Sequence, residues 1–541
     1  MIYQEILNDF SWDSVLKTFD WTPNQTFNMA FQTCDRWADD ANLVAIYWED
    51  EAGNKEKWTY QKLKEKSNRM ANLLRSLGVT KGDRIAGLLG KDMELIVTVL
   101  AVWKIGAIYV PLFTAFGPEA LEHRLNDSEC KFLVTNKEQK KKIEGKNISV
   151  QTILIDGLFQ GELTFMEYVD TFSAEYKIEF TNIMDPCVIQ YTSGSTGLAK
   201  GAVWAHKILV SIYPYQIYAV GTQKEDRFFG GADLGWAYGL IQSTFAPLSF
   251  GVPILIYKGK FKTKKVYQLL QDYEITSFAY APTAYRAMMA EGSELVKQYK
   301  FKVKKFSSAG EPLNAEVVRF FKNNFGREIY DHYGATEAGM IINNYNVTNM
   351  AVKPGSMGFP SPGYNVALLD AQDKVVEKGI TGEIAVDMTG FPYFFLGYWN
   401  NPEKTKEKMR GKWLLTGDLA KQDEDGYFWF QGRSDDIISS AGYRIGPFEV
   451  ESSLLEHPAV SEAAVVGKPD DAKGEIVKAF IVLNKPYEAS ADLGKELSTY
   501  VKEKLSKHQY PREVEFLDSL PKTQSGKIQR FLLKEVNHVI K

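Results

Sequence analysis

Apolar positions along the chain follow two rhythms that alternate. Leu63, Met70, Leu74 and Leu77 recur at helical spacing and stop at Gly78, which predicts an amphipathic helix with a glycine cap. Arg84 to Leu89 reads as a strand, and a helix is expected from about Asp92. The longest apolar region, Leu95 to Phe113, contains Lys104, Gly106 and Pro111, so it predicts a helix followed by a buried strand and not a membrane span. Cys187-Val188-Ile189-Gln190 is a further buried strand, while Phe278 to Thr283 and Ser307 to Pro312 each read as strand into turn. Strands alternating with helices imply an α/β fold built on a largely parallel sheet covered on both faces. After Arg433 the pattern changes. Ala463 to Gly467 and Lys478 to Leu483 are short apolar runs, and Ser498 to Lys507 is a basic helical stretch, which together predict a small α+β unit of roughly one hundred residues.

Composition narrows the picture. At 541 residues the chain exceeds one ordinary core, and 45% hydrophobic with 13% aromatic residues is ample for two or more packed interiors. A net charge of -4 with interspersed signs gives no reason to expect nucleic acid. The basic run Lys137 to Lys146 is expected to be a solvated loop or helix face. Cys34, Cys130 and Cys187 are isolated, which argues against a disulfide framework or a zinc site and for a cytoplasmic protein. Met1-Ile2-Tyr3-Gln4-Glu5 lacks a basic segment leading into an apolar one, so neither a secretory signal nor stable membrane insertion is expected. Trp12 to Trp48 mixes aromatic and polar residues to which no chemistry can be assigned.

Candidate chemistry centres on Tyr191-Thr192-Ser193-Gly194-Ser195-Thr196-Gly197-Leu198-Ala199-Lys200-Gly201, directly after a strand. Its glycines let backbone approach a bulky anion, Thr192, Ser193, Ser195 and Thr196 supply hydroxyl donors, and Lys200 supplies charge. This is the composition of a phosphate cradle, although not of the Walker loop, since the lysine lies between Ala199 and Gly201. A flexible surface loop would use the same residues. Further along come Tyr333-Gly334-Ala335-Thr336-Glu337, Thr416-Gly417-Asp418, Gly432-Arg433-Ser434-Asp435-Asp436 and Pro521-Lys522-Thr523-Gln524-Ser525-Gly526-Lys527.

In this order the motifs resemble the adenylate-forming superfamily of acyl-CoA synthetases, peptide-synthetase adenylation domains and luciferases, most of all its acetyl-CoA and medium-chain acyl-CoA synthetases. The resemblance implies a large N-terminal multi-sheet α/β domain over residues 1–432 that binds ATP and acid. A hinge at 433–435 and a small mobile α+β C-terminal domain over 436–541 would follow. It further implies an ATP-dependent ligase that makes an acyl-adenylate, releases pyrophosphate and passes the acyl group to coenzyme A.

The roles carried over are these. Thr192 to Gly197 and Lys200 would hold the ATP phosphates, Thr336 the α-phosphate, and Glu337 a Mg²⁺ ion. Gly310, Glu311, Pro312 and Asp331 would meet adenine, with Asp418 and Arg433 at the ribose. Lys527 would bridge the attacking carboxylate and the α-phosphate, and a lysine acetyltransferase acting on it would switch adenylation off. Arg433 and Asp435 would form the hinge, and rotation would bring in Gly442 for the pantetheine arm, Arg444 for the AMP phosphate and Lys502 for coenzyme A; a solvated helix lysine explains Lys502 equally well. Asp233, Trp236, Tyr238, Tyr333 and Gly334 would belong to the acyl pocket, the aromatics among them being equally able to serve as core. Acetyl-CoA synthetases carry tryptophan at the position of Gly334, so the expected acid is larger than acetate: a short branched or a medium-chain acid. A freestanding enzyme that charges a carrier protein, a catalytically idle nucleotide binder and a luciferase are the alternatives.

Overall fold

The computed structural model describes residues 2–19, 21–22, 25–159, 162–192, 198–348, 350–390, 392–434, 436–440, 443–470, 473–505, 508–522 and 528–539. The first predicted helix is Tyr60–Ser76, whose N-terminus is capped by the Thr59 hydroxyl accepting from Lys62 N. Leu63, Met70 and Leu74 face the core as expected, whereas Leu77 is 43% exposed. The helix stops one residue before it, where Gly78 takes φ +83° and turns the chain.

The long apolar region is a helix, Met93–Ile105, closed by Gly106 at φ +73° and followed by the strand Ile108–Pro111. Its one lysine, Lys104, is fully buried. Lys104 Nζ meets Asp35 Oδ1 at 2.8 Å and Asn68 Oδ1 at 2.6 Å, so the charge is paired where water is excluded.

Two large sheets form the greater part of the molecule. A seven-stranded sheet runs Phe395–Tyr398, Lys200–Ala205, Pro186–Thr192, Ile108–Pro111, Arg84–Leu88, Phe132–Thr135 and Gln151–Leu154. Its last five strands are parallel. A nine-stranded sheet places Lys55–Thr59, Val44–Asp50, Ile254–Lys258, Phe228–Gly230, Ser277–Tyr280, Lys305–Ala309, Ile329–Ala335, Gly339–Asn343 and Phe359–Pro360 in that order. Its centre is parallel and its rims antiparallel. The expected largely parallel sheet is thus two sheets, because each strand-to-strand crossover needs a helix to cover one face and the chain has enough helices for both.

A third sheet joins Val366–Leu369, Thr381–Asp387, Trp413–Gln422, Met409–Arg410 and Phe428–Arg433, and it is antiparallel throughout. The smaller C-terminal part holds a fourth sheet around the long hairpin Val460–Asp470 and Gly474–Leu483. It is packed with the helices Pro447–Leu455 and Ala491–Lys504 around Val450, Leu454, Leu497 and Val501. The basic run Lys137 to Lys146 is two short helical turns at the surface, with Lys146 paired to Glu119 and Glu122 at 2.9 and 3.4 Å.

Candidate active site

Strand ends and the turns after them bring the motifs together. Residues 193–197 of the cradle lie outside the described residues, but both flanks are fixed: Thr192 pairs with Lys200 across an antiparallel ladder. Lys200 Nζ lies 5.5 Å from the ring centre of Tyr398, and the Tyr398 hydroxyl donates to Glu337 Oε1 at 2.5 Å. Burial lowers the pKa of Lys200, neighbouring Lys404 and Lys408 lower it further, and Glu337 partly offsets them. Glu337 is 9% exposed, and Tyr398 is its hydrogen-bond partner among the described residues. The carbonyl of Thr336 accepts from Trp204 Nε1 at 2.9 Å, which anchors this turn on the seven-stranded sheet.

Asp418 stands in the long strand Trp413–Gln422, where Gly417 at φ +84° turns the backbone and its N–H donates to Glu383 Oε1 at 3.1 Å. Asp418 pairs in register with Arg433, and Arg433 Nε approaches Asp418 Oδ1 to 3.6 Å. Tyr333 donates its hydroxyl to Asp418 Oδ2 at 2.7 Å. Tyr333, expected among the acyl-pocket residues, thus has its hydroxyl on the ribose candidate. Successive side chains of a strand face opposite sides, and Tyr333 takes the side of the ribose candidate. Replacing Tyr333 by phenylalanine removes a hydrogen bond to a charged group, worth about 1.5–3 kcal/mol. The expected result is a KM for ATP raised roughly tenfold with kcat nearly unchanged, read by steady-state kinetics; an unaltered KM would detach Asp418 from the nucleotide.

The loops at 278–283 and 307–312 leave adjacent parallel strands and are tied together. Glu311 accepts from Thr283 Oγ1 at 2.7 Å and from Arg286 Nη2 at 2.8 Å, so its carboxylate is spent on holding the Gly310-Glu311-Pro312 turn. Gly310 has φ +100°, a conformation that strains other residues. Asp331 is buried, and burial pushes its pKa up to about 8 against the backbone hydrogen bonds of Leu313 and His332 that lower it. Its carbonyl accepts from Asn344 N and Nδ2 at 3.1 and 3.0 Å.

The segment Gly230 to Gly239 owes its glycines to packing. A Cβ at Gly231 would sit 1.6 Å from the Tyr280 ring, and one at Gly239 would sit 1.9 Å from Asp233 O. Asp233 Oδ1 caps Gly235 N at 2.8 Å; burial raises its pKa and nearby Lys91, which donates to Gly231 O, opposes that. Trp236 packs on Phe113 and Phe116, with ring centres 5.3 and 5.7 Å away. Tyr238 instead meets Tyr215, hydroxyl to hydroxyl, at 2.7 Å. Gly334 is exposed, but a Cβ there would lie 2.4 Å from Gly339 O. Its bareness is thus required by the neighbouring strand as well as by any need for space.

Of the remaining expected residues, Asp435, Gly442 and Lys527 lie outside the described residues, as does the side chain of Arg444. The flanks of Lys527 are fixed: Lys522 bridges to Ile528, and Gln529 N donates to Pro521 O at 2.9 Å. Lys502 borders a groove of about 920 Å³ that Lys495 and Arg512 also line, with Arg512 stacked 3.9 Å from the ring centre of Tyr510. Tyr398, Lys404, Lys408 and Tyr215 were not singled out from the sequence, since each reaches the site from another strand or helix and no local motif marks it.

Residues 31–399 match the AMP-binding enzyme family, and residues 449–527 match the AMP-binding enzyme C-terminal domain. The chain belongs to the AMP-binding enzymes. This AMP-binding enzyme is 40% identical to the acetyl-coenzyme A synthetase of Bacillus subtilis, over 98% of this chain and 94% of that one. An acyl-CoA synthetase of Brucella canis, solved by crystallography, shares 40% identity with a TM-score of 0.78, covering 99% of each chain. The crystal structure of the anthranilate CoA ligase AuaEII in complex with anthranoyl-AMP superposes with a TM-score of 0.86 at 28% identity, covering 96% of this chain and 98% of that one. The AMP-binding enzyme described here is accordingly an ATP-dependent acid–CoA ligase of the AMP-forming kind, with ATP and coenzyme A as substrates. Among the described residues no helix is long and apolar enough to cross a membrane.

Proposed function

We propose that this ligase activates a short branched or medium-chain carboxylic acid larger than acetate. What supports the size is that Gly334 is exposed and bare where, on the family resemblance, acetyl-CoA synthetases carry tryptophan; the Gly339 carbonyl that would crowd a Cβ there keeps the position open. Each further methylene that a pocket buries adds about 0.8 kcal/mol to binding. In the first half-reaction a carboxylate oxygen bonds to the α-phosphorus of ATP as the bond to pyrophosphate breaks. Thr336 and Lys527 stabilise the charge that gathers on the α-phosphate, while Asp418 and Arg433 hold the ribose and Lys200 the leaving phosphates.

A Mg²⁺ ion fits Glu337, because such ions are held by one or two carboxylates plus substrate phosphates, and among the described residues no larger acidic or histidine cluster competes. When bound there it neutralises charge on the phosphates. In the second half-reaction the thiolate of coenzyme A attacks the acyl carbon and AMP leaves. We assign the hinge to 433–435, with Gly442 and Arg444 serving this step after rotation of residues 436–541. The cations Lys495, Lys502 and Arg512 beside Tyr510 suit the phosphates and base of coenzyme A. Acetylation of Lys527 would abolish the charge needed for adenylation. The buried free thiols Cys34, Cys130 and Cys187 suit a reducing, cytoplasmic setting.

The test is pyrophosphate release by the purified enzyme with ATP and Mg²⁺ across acids from acetate to octanoate, including isobutyrate, 2-methylbutyrate and benzoate, with and without coenzyme A. A kcat/KM that peaks beyond acetate, with AMP and acyl-CoA in equal amounts, is the expected result. A peak at acetate would overturn the size assignment, and pyrophosphate release without thioester would indicate a carrier protein as acceptor.

A further inference from the structure

A buried imidazole without hydrogen bonds is costly unless something else completes it. His332 is 2% exposed, and neither of its ring nitrogens has a partner in hydrogen-bond geometry among the described residues. Asn343 lies directly across the ladder; its Nδ2 donates to Met340 O and Ser361 Oγ, and its Oδ1, likewise without a partner in hydrogen-bond geometry among the described residues, faces the ring and offsets a little of the burial, which leaves the second ring nitrogen with nothing to meet. Burial takes the pKa of His332 down to about 3, so the ring is neutral at physiological pH and offers one N–H donor and one bare nitrogen acceptor. It stands edge-on to Tyr215, with ring centres 5.1 Å apart at 90°.

Further buried polar atoms without partners among the described residues lie on the helical turns that follow the acyl segment and on the strand beside that of His332. Tyr215 shares its hydroxyl with Tyr238, which begins the helical turns Tyr238–Phe245. On those turns Gln242 Oε1 and Ser243 Oγ are also without partners among the described residues, and Ser307 Oγ is so on the strand beside that of His332. Tyr285 donates its hydroxyl to Ser307 O at 2.9 Å. His332 lies in the strand Ile329–Ala335, and Thr336 follows directly after its end, four residues on, a separation of at most roughly 13 Å at about 3.3 Å per residue. The imidazole is therefore remote from the α-phosphate and suits the far end of a bound acid.

We propose that His332, with the paired hydroxyls of Tyr215 and Tyr238, recognises a neutral hydrogen-bonding group, such as a hydroxyl or a carbonyl, at the end of the acid remote from its carboxyl. The inference rests on the ligase reading above and narrows its substrate to polar-substituted monocarboxylic acids. A second carboxylate is excluded, since a neutral ring cannot balance its charge and burying it unpaired is prohibitive. Plain alkyl acids leave the imidazole unpaired and bind less well.

The test compares matched pairs: pentanoate with 5-hydroxypentanoate and 4-oxopentanoate, and benzoate with 4-hydroxybenzoate, each followed by acyl-CoA formation. The wild-type enzyme is expected to favour the best polar member by at least about tenfold in kcat/KM, the scale of one hydrogen bond to a group that otherwise stays buried and unpaired. His332→Leu should erase or invert that ratio while His332→Gln retains part of it, with the KM for ATP reporting an intact nucleotide site. Should the leucine variant not fold, the wild-type ratios decide by themselves. Equal or better use of every plain acid by the wild-type enzyme overturns the proposal, whereas no acyl-CoA from any acid defeats the ligase reading beneath it.

Discussion

Glu337→Gln is expected to lower kcat/KM for pyrophosphate release by about 10²–10³, or about 2.7–4 kcal/mol of transition-state stabilisation. Glutamine keeps the shape and can still accept from the Tyr398 hydroxyl that meets Glu337 Oε1 at 2.5 Å, so folding should be preserved. What is lost is the negative charge, and on the assignment above that charge holds Mg²⁺ against the phosphates while offsetting Lys200. The Mg²⁺ concentration needed for half-maximal rate should rise along with the loss. Rates within a few-fold of wild type at the usual Mg²⁺ would show that Glu337 is a structural partner of Tyr398 and nothing more.

A second large effect is expected to split the two half-reactions. Lys527→Ala should cut adenylation by a similar factor of about 10²–10³, because one charged donor to the pentavalent phosphorus disappears. Thioester formation from a chemically prepared acyl-adenylate should stay within a few-fold of wild type, since on the proposed assignment Lys527 serves adenylation and not the displacement of AMP. The variant should fold, as the base of its loop depends on the bridge between Lys522 and Ile528, on Gln529 N donating to Pro521 O, and on the ion pair of Lys522 with Glu462 at 2.6 Å. Single-turnover assays of each step measure both rates. Equal loss in the two steps would refute the division of labour and, with it, the need for a rotating C-terminal part.

How far the site could be read before the structure varies with the residue. Thr192, Lys200, Thr336, Glu337, Asp418 and Arg433 lie in short motifs that can be picked out as contiguous runs, although the roles expected of them come from the family resemblance and not from local spacing. The acyl segment was legible as a stretch but not as a surface. Its residues part company: Trp236 turns to Phe113 and Phe116, Tyr238 to Tyr215, and Asp233 to the backbone of Gly235. The hydroxyl of Tyr333 meets Asp418 from another strand, a contact that no local spacing shows. Gly334 looked like an absent indole, yet the carbonyl of Gly339 forbids a side chain at that point without a shift of the strand.

The sequence by itself determined several of the helices and strands, such as Tyr60–Ser76, Arg84–Leu88 and Met93–Ile105, since apolar spacing and glycine caps are local, and it pointed to the family, since its motifs are contiguous runs of residues. It also determined that Lys104 would sit in an apolar helix. Only the tertiary structure decided what that lysine pairs with, because Asp35 and Asn68 come from other elements. The same holds for Tyr398 on Glu337, for Lys404 and Lys408 near Lys200, and for the unmet imidazole of His332. Charge pairing and desolvation depend on distances between residues far apart in the chain, and those distances exist only once the sheets have closed on one another.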